Sequence, residues 1–173
     1  MNRQAVSNTL FDYNDWANAQ VLDAAARLDA AAYNRDFGQA WGSVRGTLTH
    51  LFEVDRMWLR RWQGREARLP HDVEAFPDLP ALRAAWEGVM EERRAYLDAL
   101  SPEQYGVGVP YTNLRGEAYA EPLWQLLFHV VNHGTDHRGY LSVMLTELGS
   151  PPPELDFVFW VRGYDWRPGG TGA

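Results

Sequence analysis

Apolar positions recur every three or four residues along four long stretches of the chain, the spacing of one buried helical face. The first stretch covers residues 4–28, where Val6, Leu10, Tyr13, Ala17 and Val21 keep the period. The second, 43–64, carries Val44, Leu48, Leu51, Trp58 and Trp62 and ends at Gly64, a residue type suited to a C-cap. The third covers 80–100 behind the N-cap candidate Asp78, with Leu82, Trp86, Val89, Arg93 and Tyr96 inward, and Ser101-Pro102 stops it. The fourth covers 121–148, halts at Gly149 and is followed by prolines at 151–153; a short fifth helix is expected over 155–162. Residues 29–38 read as a connection and the proline-bearing stretch 64–80 as a long loop. Before the last long helix, 105–110 and 115–119 flank Thr112-Asn113, the pattern of a short β-hairpin or an extended crossover.

Helices of roughly 20–28 residues are about 30–42 Å long. Such lengths predict an all-α fold, a four-helix bundle with room for crossover connections. The 173 residues suit one domain, expected over 1–166, with the tail RPGGTGA at 167–173 disordered.

Composition removes much chemistry. There is no cysteine, and all 16 basic residues are arginine. The protein therefore has no thiolate metal ligand, no thiol nucleophile, no Schiff-base lysine and no P-loop lysine. The formal charge of −7 argues against nucleic acid and against anionic lipid surfaces. No apolar run is long enough to span a bilayer, and the N-terminus lacks the apolar core of a secretory signal, so a cytoplasmic protein is expected.

The remaining reactive inventory centres on PLWQLLFHVVNHGTDHRGYLSVMLTELG, with histidines at 129, 133 and 137. Imidazoles four apart share a helical face and reach one ion; the outer two, about 12 Å apart along the axis, do not. Leu126, Val130, His133, His137, Leu141 and Met144 form one apolar stripe, whereas His129 sits beside Gln125, Asn132 and Asp136. His133 and His137 are therefore the inward pair and His129 is at the edge. Two buried neutral imidazoles on one stripe read either as core residues, each needing a donor and an acceptor partner, or as ligands of one ion. His50, bordered by Leu48, Leu51 and Phe52, is the natural third ligand from a facing helix, while His71 lies in the proline-bounded loop and is expected to be exposed. Gly134 and Gly139 each cost a helix about 1 kcal/mol relative to alanine. They read either as close packing of a neighbouring helix or as room for a ligand beside the histidines.

These features together resemble the DinB/YfiT-like metalloenzyme superfamily. The resemblance is carried by the His50 helix, by NHGTDHRG followed by Leu-x-Glu-Leu-Gly, and more weakly by YNDWANAQVL and VPYTNLRGEAYAEPLWQLLFHVVNH. It implies a four-helix bundle with unusual connections. It also implies a divalent metal held by one histidine of the second long helix and two of the last, which are His50, His133 and His137 here. Two positions depart from the family's pattern: Asp136 stands where histidine is frequent and Tyr140 where glutamine is. Asp136, Arg138 and Tyr140 are the candidates for groups behind the ligands or in a substrate pocket.

Three neutral imidazoles leave an ion its full charge and an open position, as in catalytic rather than structural zinc sites. Glu53 and Asp55, the nearest carboxylates in sequence, are expected behind the ligands at most. Zinc or nickel is expected foremost, with iron or manganese also compatible with the donor set. Some superfamily members are transferases that activate a low-molecular-weight thiol of the bacillithiol or mycothiol type. The resemblance thus implies a thiol S-transferase acting on small electrophiles. The alternatives are a hydrolase using metal-bound hydroxide, and a stress-associated metal-binding or scaffold protein without turnover. A homodimer is expected, with small-molecule partners and no nucleic acid or membrane.

Overall fold

Side-chain caps begin two of the long helices in the computed structural model, which describes residues 3–38, 41–70, 72–113 and 115–163. Helix α1 (Arg3–Ala25) is followed by a single short helix, α2 (Ala30–Tyr33), whose first turn is capped by Asp29. Ser43 Oγ accepts from Gly46 N (3.0 Å) and opens α3 (Val44–Trp62). Asp78 Oδ1 accepts from Ala81 N (2.8 Å) and, with Pro80 in the first turn, opens α4 (Leu79–Asp98). Strands β1 (Gly108–Thr112) and β2 (Ala118–Pro122) pair antiparallel, with Tyr111 opposite Tyr119. The last long helix is α5 (Leu123–Glu147), and α6 (Phe157–Val161) closes the described chain. Gly64 and Gly149 follow α3 and α5 at φ of +69° and +74°, the left-handed conformation that glycine adopts without a Cβ clash.

The structure is mostly helical, with four long helices and one small sheet. The hairpin expectation is met, displaced two or three residues toward the C-terminus. Glu121 pairs with Val109 in the sheet, so the last helix starts at Leu123 rather than at 121. Asn113 sets the turn, its Oδ1 accepting from Arg115 N and Glu117 N. The first helix stops at Ala25 instead of 28, where Arg27 reaches across to Ser150 Oγ and Pro151 O. Val6, expected inward, is 38% exposed. The expected tail 167–173 lies outside the described residues.

Helix α1 packs chiefly on α5 and α4, and α3 packs chiefly on the same two. The connections 26–43 and 99–122 therefore join helices that are not principal packing partners. Leucine, valine, phenylalanine and tryptophan side chains fill the space between all four. Among the described residues, no helix is long and apolar enough to cross a membrane.

Two arginines are buried within this hydrocarbon, each 1% exposed. Arg93 of α4 pairs with Asp15 of α1 and Asp55 of α3, and lies over the Phe11 ring at 4.7 Å. Asp55 also accepts from Trp86 Nε1 at 2.9 Å. Burial raises the Asp15 carboxyl above its ordinary range although the Arg93 charge pulls the other way. Arg138 of α5 donates to Asn14 Oδ1 (2.7 Å), Asn18 Oδ1 (2.8 Å) and Thr135 Oγ1 (3.2 Å). Both asparagines belong to α1 and are themselves buried.

This network explains one of the two glycines within α5. A Cβ on Gly134 would stand 2.7 Å from both Arg138 Nη1 and Asn14 Oδ1, so the missing side chain is what lets the guanidinium reach α1. A Cβ on Gly139 would meet nothing within 4 Å. Close packing therefore accounts for Gly134, whereas Gly139 borders open space. The two positions should respond oppositely to alanine. Gly134→Ala is expected to destabilise by about 1–3 kcal/mol as the buried hydrogen bonds are displaced. Gly139→Ala should stabilise by up to about 1 kcal/mol through helix propensity and reduced unfolded-chain freedom. Urea unfolding midpoints of the two variants check this; equal midpoints would contradict it.

Candidate metal centre

Where α3 meets α5, imidazoles occupy the seam. His50 is buried on α3, and the half-buried His133 and His137 face it from successive turns of α5. His50 Nε2 and His133 Nε2 are 3.2 Å apart. The His50 and His137 ring centres are 4.7 Å apart, and those of His133 and His137 are 4.3 Å apart. One ligand nitrogen from each ring lies within 4.8 Å of the others. The expected inward stripe is present, with Leu126, Val130, Leu141 and Met144 buried above and below the pair.

The donor set suits a divalent cation. Two nitrogens bound tetrahedrally to one ion at 2.0–2.1 Å are about 3.3 Å apart, close to the His50–His133 separation. His137 Nδ1 is buried with no hydrogen-bond partner among the described residues. Burial, with the charges of His137 and His129 adding to it, pushes His133 down to about 4. Burial also lowers His137, against the opposing pull of Asp136. These two imidazoles are therefore neutral near pH 7, the form in which histidine binds metals.

Trp41 covers the centre, and no helical period points to it. Its indole lies flat on His50, with 3.7 Å between ring centres and 13° between planes, and stands edge-on to His137 at 6.5 Å. The approach depends on Gly46. Ser43 N donates to Trp41 O at 2.8 Å, folding the chain back against the first turn of α3. A Cβ on Gly46 would stand 2.0 Å from that carbonyl oxygen. A tryptophan two residues ahead of a helix-capping serine, with glycine three residues into the turn, is the only trace of this arrangement in the sequence.

The other candidates separate. His129 is exposed at the edge, 5.9 Å from the His133 ring, as its polar neighbours predict. Tyr140 is 50% exposed with its ring 6.1 Å from that of His137, placing a phenol beside the histidines. Asp136 is exposed and acts on His137 through space. Arg138 turns away from the histidines: the α5 turn that aims His137 at α3 aims Arg138 at Asn14 and Asn18 of α1. Neither Glu53 nor Asp55 joins the histidine cluster among the described residues. Glu53 Oε1 accepts from Asp72 N (3.0 Å), and Asp55 serves Arg93 and Trp86. His71 lies outside the described residues.

The chain is similar to Protein DinB of Bacillus subtilis (strain 168), 25% identical over 160 residues that cover 88% of this chain and 91% of that protein. The DinB family profile matches residues 1–167, which span all four long helices and all three clustered histidines. The chain belongs to the DinB family.

Proposed function

We propose that this chain is a divalent-metal protein with His50, His133 and His137 as ligands, and that its task is to activate a low-molecular-weight thiol, of the bacillithiol or mycothiol type, for transfer to a small electrophile. The observation that carries the reading is the convergence of three imidazoles in a chain that has neither cysteine nor lysine. When bound, zinc or a related ion at three neutral ligands supplies Lewis acidity and stabilises an external thiol as its thiolate. The protein groups do the rest. His50 is fixed by the indole stacked on it, which also shields that side from water. His133 and His137 arrive neutral and need lose no proton to bind. Tyr140 presents a phenol at the rim, within reach of a molecule lying on His137. On this reading the four long helices form a DinB-type bundle over 1–166, and zinc or nickel is the ion.

Elemental analysis of the purified protein should find about one divalent ion per chain. His133→Ala and His137→Ala should lose it, and His50→Ala should weaken binding roughly tenfold or more. His129→Ala should retain it. Loss of the ion in His129→Ala with retention in His137→Ala would show that the wrong pair has been chosen.

Protons compete with the ion for the imidazoles, so affinity must fall as pH falls. Because burial holds His133 and His137 below the ordinary imidazole value of 6.5, the loss should begin only below about pH 6. Metal affinity measured by competition with a chelator across pH 4–8 checks the sign; binding that tightens on acidification contradicts the ligand set.

Metal-loaded protein should accelerate conjugation of bacillithiol to a small electrophile, and metal-free protein should not. Turnover with water alone, inhibited by thiol, would mark a hydrolase instead. No acceleration with either, and an ion that only raises thermal stability, would mark a structural metal site.

A further inference from the structure

A cationic, aromatic-walled shelf leads from the histidines toward the hairpin. Arg61, in the last turn of α3, lays its guanidinium over Trp58 (4.7 Å to the ring centre) and over Tyr111 of β1 (5.1 Å). Its Nη2 donates to Thr112 O at 2.8 Å. On the other side, Trp58 meets His129 edge-on at 5.3 Å, and His129 in turn lies 5.9 Å from the His133 ring. The row His133, His129, Trp58, Arg61 thus runs continuously outward from the candidate metal centre.

Arg61 is one of three α3 arginines, with Arg56 and Arg60, that pair with no carboxylate among the described residues, and the one of them that lies on the row leading from the histidines. Arg65 pairs with Glu92, Arg68 pairs with Glu66, and Arg60 donates to Glu66 O. No carboxylate pairs with Arg61 among the described residues, although the side chain is partly withdrawn from water. The Thr112 carbonyl and the Tyr111 face tie the hairpin to Arg61, and Trp58 flanks it from α3 itself, but none of them carries a negative charge and donors stay unused. A guanidinium in this state is a fork for a carboxylate, and aromatic walls that exclude water strengthen such a pair. In a chain of net charge −7, an anion gains nothing from the long-range field, so a local unpaired cation is what would hold one.

We propose that Arg61 is a specificity-determining residue which binds a carboxylate on the molecule held at the histidines, so that the substrates are acidic small molecules, acidic thiols foremost. The inference rests on reading His50, His133 and His137 as the metal centre. His50 and Arg61 lie 11 residues apart on α3, about 16 Å along the axis; with an ion–sulfur bond of about 2.3 Å and the reach of the guanidinium taken off, the carboxylate and the metal-binding atom of the substrate would be separated by roughly 8–12 Å. The exposed His129 lines the path between them.

Two measurements test this. In metal-loaded protein, 8-mercaptooctanoate and 8-mercaptooctan-1-ol share a sulfur and a chain length and differ in the carboxylate. Calorimetric titration should show the acid binding about tenfold more tightly than the alcohol. Arg61→Gln should bring the acid down to the alcohol's affinity, and Arg61→Lys should keep part of the preference. Equal affinities in the unaltered protein overturn the proposal, as does an Arg61→Gln variant of unchanged melting temperature that still prefers the acid. In metal-free protein, hexanoate should shift the His129 ring signals saturably in the nuclear magnetic resonance spectrum. The shift should be absent in Arg61→Gln and present in Arg61→Lys. No shift in the unaltered protein overturns the carboxylate site whether or not an ion binds. Elemental analysis of the same sample separates the two failures: an ion-free chain that still binds hexanoate through Arg61 overturns the metal reading alone.

Discussion

Charge buried between helices fixes how the four long helices of this protein lie against one another. Arg93 reaches from α4 to acids on both α1 and α3, and Arg138 reaches from α5 to two asparagines on α1. Hydrocarbon contacts tolerate sliding, because one leucine packs much like the next. A guanidinium inside a core does not, since losing its partners leaves an unpaired charge in a medium that cannot solvate it. The seam between α3 and α5 most needs such outside control. Its middle is occupied by imidazoles, which gain little from packing on one another without an ion. The arginine clamps set the register of α5 on α1, and of α1 and α3 on α4. The facing of His50 and His133 follows from that frame.

Local features of the chain were legible wherever a period or a cap expressed them. His133 and His137 fall on a stripe with Leu126, Val130, Leu141 and Met144, and those four side chains are buried. His50 is flanked by core leucines, and it meets that pair. Asp78 sits ahead of an apolar period and caps α4. The unreadable features depend on contacts between distant segments. Trp41 reaches His50 through a turn whose tightness depends on a glycine inside the following helix. Arg138 neighbours His137 in sequence yet points to the opposite side of α5, because adjacent residues on a helix diverge by about 100°. Its destination became visible only with Asn14 and Asn18 in place. The hairpin slid by two or three residues because strand ends are set by pairing across the sheet, not by the composition of either strand.

The candidate centre combines two properties that seldom coexist. Two of its imidazoles are held neutral, and it lies in a protein of marked negative charge. Burial keeps His133 and His137 unprotonated, so these rings repel neither a cation nor, once a cation is present, an anion that follows it. The aromatic rings around it, Trp41 over His50 and Trp58 beside His129, restrict water without adding charge. Such surroundings preserve the strength of electrostatic contacts made within them.

His50 and His133 are 83 residues apart in sequence. An ion shared between them would close a loop of about half the chain, and the segments that join α3 to α4 and α4 to α5 all lie within that loop. In a protein without cysteine, such coordination supplies a cross-link that no disulfide can. Its effect would fall mainly on the unfolded chain, whose freedom shrinks when two distant points are tied. The same three rings that offer chemistry would then act as the chain's reversible staple, made or released by the supply of metal rather than by oxidation.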